Sequence, residues 1–333
     1  MKDKKRSLVL ISDRVSDYKD ISIDNLKLEY ANDRYFKNLY ETMKSINPDV
    51  IHYSSPHDFL DNIKHHANSI VLSIWSGEKS ENRRALVPSI CEAYNIPYVG
   101  ADAYLHIISS DKYLCKKMCD DYGIPSAKSI VLKSINCFDL LHCLKLPVVI
   151  KPNNEGGSIG ILKNNLVDNI QNAKAVCTKM LKVFPTIIVE EYLPGYEVSV
   201  CITGLHGTID LFEVMMQKIS GNTYFTSEIL SSEIKKHNKS TREIVPRNDL
   251  LSIEDKEKLS FLYNSFEKAD VIRVDGRIYN NKFYLLELTP DCGLSIDGNM
   301  SNAFKNCGYS YKEMIEYLLN NAVKSWEYQN ANK

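Results

Sequence analysis

The first hundred residues alternate short apolar runs with segments in which apolar residues recur every three or four positions. The short runs are rich in β-branched residues and are typical of buried strands. The predicted strands are 7–12, 50–53, 69–74 and 96–100. The predicted helices are 34–46, 57–67 and 84–94. Alternation of strands and helices at this spacing indicates a parallel sheet with helices on its faces.

Further along the chain, some predicted strands are followed by a helix and others directly by another strand. A helix is expected after an N-cap at Ser110 or Asp111, ending at Gly123 before Pro125. The other predicted helices are 136–144, 168–183 and 311–326. The other predicted strands are 126–132, 147–150, 186–191, a strand that carries Glu197, and two strands joined by a turn at Asn280 and Asn281. The apolar stripe of the last helix, at Met314, Tyr317, Leu318 and Ala322, is expected to pack in the core.

Composition narrows the class of protein. The net charge of −1 gives no indication of a nucleic-acid or membrane-surface partner. No apolar run approaches the roughly 18 residues of a membrane-spanning helix, and the N-terminal apolar run is too short for a signal peptide. The nine cysteines show no paired spacing, which favours reduced thiols. We therefore expect a cytoplasmic α/β protein.

A glycine-rich stretch, KPNNEGGSIGI at 151–161, follows the strand at 147–150. Gly156, Gly157 and Gly160 let backbone N–H groups approach a ligand closely, and Ser158 adds a hydroxyl donor. Lys151 adds a positive charge where phosphates would lie. A solvated hairpin loop is the alternative for such a stretch when it stands alone.

Two groups of carboxylates accompany this stretch. Glu190 and Glu197 flank a turn between two strands, where they could bind an adenine amino group or a ribose hydroxyl, or lie solvated at the strand ends. Asp275 and Glu287 fall on adjacent strands of the later hairpin and can point to one face. Oxygen ligands beside phosphates indicate Mg²⁺, whereas a structural salt bridge is the alternative. Arg273 shares the face of Asp275 and could neutralise an oxyanion.

Two polar segments have less definite patterns. The charges of the loop 75–83 are more consistent with a solvated surface than with a site. The segment 217–247 has the features of either a mobile basic lid or an ordinary exposed loop. The basic residues that would form such a lid are Lys235, Lys236, Lys239 and Arg242.

Together these stretches resemble those of ATP-grasp ligases, and among these the D-alanine–D-alanine ligases. The resemblance covers residues from about 70 to 322. It rests on IPYVGADA, SSDKYLCKKMCDDYGIP, KPNNEGGSIGI, VEEYLPGYEVSV, IRVD, LLEL and CGYSYKEMIEYLLNNA. It implies an ATP-grasp fold of three α/β domains, at 1–102, 103–191 and 192–333, with ATP between the central and C-terminal antiparallel sheets. A homodimer through the N-terminal domain would be consistent with the family.

The resemblance also implies roles for individual residues. Lys112 and Lys151 would contact ATP phosphates, and Ser158 would cover them together with the amides of Gly156 and Gly157. Glu190 and Leu193 would contact the adenine and Glu197 the ribose. Asp275, Glu287 and Thr289 would hold Mg²⁺, with Mn²⁺ as a possible substitute, while Arg273 would stabilise the tetrahedral oxyanion. The reaction implied is phosphorylation of a carboxylate donor by ATP, followed by attack of an amine acceptor on the acylphosphate.

Several positions depart from the family pattern. Thr289 replaces an asparagine metal ligand, and Gly157 replaces a serine of the glycine-rich stretch. Gly298 and Asn299 replace a serine-leucine pair that grips the carboxylate of the acceptor. The N-terminal glycine-rich signature and the lysine-tyrosine pair of the family's lid have no counterpart. Because the departures other than Thr289 lie at the amino-acid sites, we expect a donor or an acceptor other than D-alanine.

Three alternatives remain open at this stage. The chain could be a D-alanine–D-alanine ligase of cell-wall synthesis, or an ATP-binding regulator without catalytic activity. It could also load an acyl group onto the thiol of a carrier protein, docked by residues 235–242. A thioester at Cys292 is disfavoured because no histidine partner is evident in the sequence.

Overall fold

A computed structural model describes residues 6–17, 31–77, 80–205, 207–229 and 242–331 of the chain. The first sheet is parallel, as predicted, with strand order β2-β1-β3. Its strands are β1 (Ser7–Ile11), β2 (Val50–Tyr53) and β3 (Ser69–Ser73). Its helices are α1 (Asp33–Ile46), α2 (Pro56–Asp61) and α3 (Leu86–Ala93). Asn32 begins α1, because its side chain accepts a hydrogen bond from the Tyr35 N–H.

Two predictions in this part of the chain were too long. The helix predicted over 57–67 ends at Asp61 and is followed by a separate 3-10 turn, Ile63–His65. The strand predicted over 96–100 is reduced to a bridge between Val71 and Tyr98. The carbonyl of Pro97 and the N–H of Val99 both bond to Val71, and the chain then turns at Gly100 with a positive φ. The pairing therefore ends after one residue.

Two helices lead from the first sheet to the central one, α4 (Ala103–Ser110) and α5 (Lys112–Asp121). Of the two candidate caps, Asp111 begins α5 by accepting from the Leu114 N–H. The central sheet is antiparallel, with order β4-β7-β5-β6, and is covered by α6 (Ile170–Met180). Its strands are β4 (Ser129–Leu132), β5 (Val148–Pro152), β6 (Leu166–Val167) and β7 (Ile187–Glu191). The α-helix predicted over 136–144 is a 3-10 helix, Ile135–Cys143, in which Cys137 bonds to the carbonyl three residues back at Ser134.

The C-terminal sheet is antiparallel with order β11-β9-β8-β12-β13, and β10 pairs with β8. Its strands are β8 (Gly195–Leu205), β9 (Thr208–Ile219), β10 (Tyr224–Phe225), β11 (Arg242–Pro246), β12 (Val271–Tyr279) and β13 (Lys282–Thr289). Helix α7 (Ile253–Asn264) precedes β12. The predicted turn between β12 and β13 is confirmed, with φ values of 49° and 57° at Asn280 and Asn281.

The segment 217–247 is only partly the loop that its polarity predicts. Its first residues belong to β9, and Arg242 begins β11 rather than lying in a lid. Backbone pairing of Arg242 with Ile219 and of Ile244 with Gln217 holds these polar residues in the sheet. Lys235, Lys236 and Lys239 lie outside the described residues.

Strand alternation gives the C-terminal sheet two different faces. Val198, Val200 and Ile202 of β8 face a buried apolar cluster with α4, α5 and α7. The residues between them in sequence lie on the opposite face, which we call the site face. The site face contains Glu197 and Ser199 of β8 and the equally spaced polar residues of the neighbouring strands. It therefore carries the polar side chains that form the site described below.

The C-terminal helices complete the core. They are α8 (Asn299–Asn306) and α9 (Tyr311–Ala331). Met314, Leu318 and Ala322 of α9 are buried in one cluster with residues of α1 and of the first sheet, while Tyr317 is partly buried there. The predicted core role of this stripe is confirmed. Among the described helices, none combines the length and apolarity that a membrane crossing needs. Each of the three sheets lies within one of the predicted domains, and the boundaries at 102 and 191 stay predictions.

Candidate active site

A cleft of about 1270 Å³ is lined by residues from all three sheets. Its lining includes the end of β3, the glycine-rich loop after β5, the end of β7 and the site face of the C-terminal sheet. This volume exceeds the roughly 300–1,000 Å³ of an ordinary single-ligand pocket. The cleft therefore has room for more than one small molecule.

The glycine loop, residues 153–161, forms one wall of the cleft. Gly157, Ser158 and Gly160 have φ values of 58°, 66° and 70°. The N–H of Ile159 donates to the carbonyl of Gly156 at 2.9 Å, which closes a tight turn. A serine with positive φ is uncommon and is found where a site demands a particular backbone path. The backbone of the loop thus follows an uncommon path that is typical of ligand-binding segments and not of a plain hairpin.

The N-terminus of α5 is tied to this loop. The N–H of Lys112 donates to the carbonyl of Asn153 at 3.2 Å, and the N–H of Tyr113 donates to the Asn153 side chain at 3.2 Å. The Lys112 ammonium donates to the carbonyl of Glu155 and lies 3.1 Å from Glu287 Oε1. One buried lysine therefore joins the loop to the last strand of the C-terminal sheet.

The second predicted phosphate lysine, Lys151, is held by Glu190. The Lys151 ammonium forms an ion pair with one oxygen of Glu190, and Lys116 Nζ lies 3.0 Å from the other. All three side chains are buried. Burial alone would raise the pKa of Glu190, but the charges of Lys116 and Lys151 outweigh it and lower the pKa to about 2. Glu190 is thus the counter-ion that positions Lys151, a contact that the sequence pattern did not predict.

The carboxylates of the later hairpin meet on the site face. Asp275 lies directly opposite Glu287 on one side and Ser199 on the other. Arg273 grips Asp275 with two nitrogens, Nε at 2.8 Å and Nη2 at 2.7 Å. The hydroxyl of Thr289 lies 3.5 Å from Asp275 Oδ2. The salt bridge considered from the sequence is present, and it lies in the wall of the cleft.

The side-chain oxygens of Asp275, Glu287 and Thr289 fit Mg²⁺. The ion binds proteins through one or two carboxylates and completes its shell with phosphates and water, and all the donors here are oxygens. Burial by itself raises the pKa of Glu287, yet Lys112 and Lys151 outweigh it and keep that pKa below its ordinary value, so the ligand is ionised. The described part of the chain contains no group of three or more acidic, histidine or cysteine ligands. The remaining ligands of such an ion would therefore come from phosphates and water.

The region around Glu197 contains an arginine that the sequence pattern missed. Arg277 Nη2 lies 3.0 Å from Glu197 Oε2, and Nη1 donates to the carbonyl of Leu193 at 2.6 Å. The guanidinium carbon lies 4.9 Å from the ring centroid of Tyr192. Strand alternation was the available signal, because Arg277 follows Arg273 at even spacing and so shares the site face. Arg277 thus holds Leu193 and Glu197, two of the three residues predicted to contact the nucleoside, whereas the third, Glu190, is paired with lysines.

The loop after β3 also contributes charges to the cleft. Arg83 Nη2 lies 2.9 Å from Glu155 Oε2, and Arg84 forms an ion pair with Asp291. The expectation of a solvated surface for residues 75–83 was therefore wrong for Arg83, and Arg84 adds a second charge next to it. The physical reason is their place beyond the carboxyl end of a parallel strand, the edge at which open α/β sheets bind ligands.

Cys292 lies in the loop after β13 and is buried. Burial raises the pKa of its thiol to about 12, and the charge of Arg273 opposes this only in part. A thiol with this pKa is protonated at neutral pH and is a poor nucleophile. The burial of Cys292 therefore agrees with the expectation that this residue forms no thioester.

Comparison with known proteins identifies the family. The family model for the D-ala D-ala ligase C-terminus matches residues 120–320, more than half of the chain. The chain belongs to the D-alanine–D-alanine ligase family. The D-alanine–D-alanine ligase of Pelagibacter ubique is 26% identical over 329 residues, covering 95% of this chain and 98% of that protein. The ligase of Pseudothermotoga lettingae is 26% identical over 297 residues, covering 86% and 93%.

Solved structures show the same fold. The D-alanine–D-alanine ligase of Bacillus anthracis complexed with ATP superposes with a TM-score of 0.72 at 16% identity, covering 98% of this chain and all of that one. The VanG D-Ala:D-Ser ligase of Enterococcus faecalis gives a TM-score of 0.65, also at 16% identity, covering 96% and 100%. The predicted ATP-grasp fold is confirmed, and family membership makes the chain an ATP-dependent ligase.

The end of the cleft at α8 is where this member departs from the D-alanine–D-alanine ligase pattern. Gly298 precedes α8 and offers no side-chain cap. The amide oxygen of Asn299 accepts from Gln217 Nε2 at 2.9 Å, and its nitrogen donates to Ser199 Oγ at 3.1 Å. Asn299 is buried, and with Gln217 and Ser199 it lines the cleft. A glycine and an amide side chain, Gly298 and Asn299, thus occupy the two positions at which the resemblance implies a hydroxyl and an apolar group.

Proposed function

We propose that this protein joins a carboxylate donor to an amine acceptor through an acylphosphate, with cleavage of ATP to ADP and phosphate. One observation carries the proposal. Two buried lysines, an arginine and two opposed carboxylates converge on a single cleft between two antiparallel sheets. Phosphoryl transfer requires mainly positioning and charge neutralisation, which this set of side chains provides.

In this proposal, the donor carboxylate attacks the γ-phosphorus of ATP and ADP leaves. The amine then adds to the acyl carbon, phosphate departs with the C–O bond electrons, and loss of the amine proton gives the amide. Lys112, Lys151 and the glycine loop amides with Ser158 bind phosphates, and Arg273 faces the oxyanion of the tetrahedral intermediate. Mg²⁺ or Mn²⁺ held by Asp275, Glu287 and Thr289 would neutralise phosphate charge.

We further propose that the donor or the acceptor differs from D-alanine. The presence of Gly298 and Asn299 where the resemblance implies a serine-leucine pair supports this, since loss of groups that hydrogen-bond a substrate changes which substrate a site accepts. The second candidate is ligation of two D-alanine molecules. The two curated relatives compared above favour it, because both are D-alanine–D-alanine ligases.

Release of ADP from ATP and Mg²⁺ decides between them. The assay uses D-alanine alone, and then a panel of carboxylates crossed with amines. Turnover with another pair but not with D-alanine supports the changed substrate. Rapid turnover with D-alanine alone favours the second candidate. If no pair releases ADP while ATP still binds, amide formation on free small molecules is rejected, and transfer to a carrier-protein thiol becomes the next candidate to assay.

A further inference from the structure

Arg242 is a cationic residue of the cleft that has no acidic partner within the described part of the chain. It is the first residue of β11 and lines the cleft on the site face. Its Nε donates to the Gln217 Oε1 at 2.8 Å. Arg273 and Arg277 are each paired with a carboxylate, but among the described residues no carboxylate oxygen lies within 4.0 Å of Arg242. The sequence pattern had predicted either a basic lid or an ordinary exposed loop for this arginine.

A chain of hydrogen bonds fixes the orientation of Arg242. Gln217, which accepts from Arg242, donates to Asn299 at 2.9 Å, and Asn299 donates to Ser199 at 3.1 Å. Ser199 in turn donates to Asp275 at 2.5 Å. Every donor in the chain points from Arg242 towards Asp275. The amides of Gln217 and Asn299 are therefore already engaged with each other, whereas the terminal nitrogens of Arg242 have no acceptor among the described residues.

The electrostatics of this position favour an incoming anion. Burial lowers the pKa of Arg242 below its ordinary value, and the nearby charge of Arg273 adds to this effect, while Glu197 and Asp275 only partly compensate. A guanidinium stays charged at neutral pH even so. A desolvated cation without a counter-ion is costly, and a carboxylate that binds it by two parallel hydrogen bonds removes that cost.

We propose that Arg242 determines specificity by binding a carboxylate of the amine acceptor. We assign the anion to the acceptor rather than to the nucleotide because the hydrogen bonds from Arg242 lead to Asn299, at the start of α8, and not to the glycine loop. A phosphoryl oxygen of ATP is the other anion in the cleft, and the experiment separates the two. The proposal rests on the proposed ligase function.

The test compares acids with their carboxamides as acceptors. D-alanine and D-alaninamide differ at the α-carboxylate, and D-glutamate and D-glutamine differ at the side-chain carboxylate. Any acceptor found active in the panel is compared with its carboxamide in the same way. For Arg242→Gln we expect the KM for the acid to rise about 10- to 100-fold, with little change for the carboxamide and for ATP. Arg242→Lys, which retains the charge without the fork, should recover part of the preference. Arg247→Gln makes the same change at an arginine paired with Asp249 on the surface and should have no effect.

Calorimetric binding of each acid and carboxamide, in the presence of ADP and Mg²⁺, gives a readout that does not need turnover. A wild-type preference for the acid that disappears in Arg242→Gln supports the inference, even if no pair releases ADP and the ligase proposal fails. Turnover in wild type with an acid-to-carboxamide ratio unchanged in Arg242→Gln overturns the inference and leaves the ligase function standing. A rise in the KM for ATP alone also overturns it, because the guanidinium would then serve the nucleotide.

Discussion

At the residue scale, the carboxylate of Glu190 lies between the ammonium groups of Lys116 and Lys151 with almost no exposure to solvent. Breaking such a pair from one side leaves uncompensated buried charge, which costs far more than the intact pair contributes. The same reasoning applies to Arg273 and Asp275 on the site face, the pair to which we assign the oxyanion and metal-binding roles in the proposed reaction. Single substitutions at these two pairs therefore separate stability from catalysis.

Replacement of Glu190 by Gln should lower the free energy of unfolding by about 3–5 kcal/mol at pH 7, because two buried lysines lose their counter-ion. Urea unfolding measures this loss. Glu191→Gln is the matched control, since Glu191 is the next residue and accepts a hydrogen bond from the Lys145 N–H. Equal effects of the two changes would contradict the assigned role of Glu190.

The pKa of Glu190 also predicts a pH dependence. Its pKa is about 2 in the folded protein against an ordinary value of 4.5, so the unfolded chain binds this proton more readily. The stabilisation is therefore complete above about pH 4.5 and is lost as the pH falls towards 2. Urea unfolding between pH 5 and pH 3 should show a smaller decline in Glu190→Gln than in wild type. Identical slopes would mean that the ion pair is not formed in solution.

Replacement of Arg273 by Lys should lower kcat by about 10²- to 10³-fold, because a lysine retains the charge but loses the fork that holds Asp275 and faces the oxyanion. ATP affinity, measured by calorimetry without Mg²⁺, should change little, since lysines 112 and 151 remain. A kcat equal to that of wild type would show that Arg273 only fixes the strand.

At the element scale, the glycine loop depends on a residue without a side chain. Gly160 has a φ of 70°, and a Cβ there would lie 2.8 Å from Pro152 Cγ and 2.9 Å from the Phe184 ring. The turn thus packs directly on the end of β5. Positive φ and the close contact act together to set the path of the loop over the cleft.

Gly160→Ala tests this dependence. Gly308→Ala is the matched control, since Gly308 also has positive φ but its added methyl would meet no atom within 4 Å. The control should cost about 1 kcal/mol of unfolding free energy from the backbone alone. Gly160→Ala should cost about 1–3 kcal/mol more and raise the KM for ATP. Similar values of both quantities for the two variants would show that the contact at residue 160 does not shape the loop.

At the scale of the whole molecule, ion pairs connect the loop after the first sheet to the other two. Arg83 reaches Glu155 of the glycine loop, and Arg84 reaches Asp291 beyond β13. Each pair has one partner near the first sheet and the other on a wall of the cleft. The first sheet is therefore coupled to the site rather than merely adjacent to it.

A double-mutant cycle on Arg83→Met and Glu155→Gln measures this coupling. Arg83 has further partners, including the carbonyl of Ser76 at 2.7 Å, so the single variant alone would overstate the pair. We expect a coupling energy of about 1 kcal/mol in ATP affinity, measured by calorimetry. Additive effects of the two changes would show that the contact does not support nucleotide binding.

Local patterns in the sequence determined the elements and the composition of the site. Periodicity predicted the parallel first sheet, α1, the β12–β13 turn and the core stripe of α9, because burial on one face forces a fixed spacing. Even spacing along β12 placed Arg273 beside Asp275, and the hairpin turn set Glu287 opposite, since a strand repeats every two residues. Element ends were less determined, as at the 3-10 helix 135–143, because the final turns depend on local capping and packing.

Only the tertiary structure decided which charges meet across elements. Lys116 and Lys151 converge on Glu190 from α5 and β5. Arg277 of β12 reaches Leu193, and Arg242 of β11 reaches Gln217 on the neighbouring strand β9. Their partners lie up to 84 residues away in the chain, so no local period records them. The same holds for Arg83, whose loop has the polar composition of a solvated surface although the structure pairs it with Glu155 of the glycine loop. The interaction energy of a charged side chain depends on which charge lies beside it away from water, and the fold determines that neighbour.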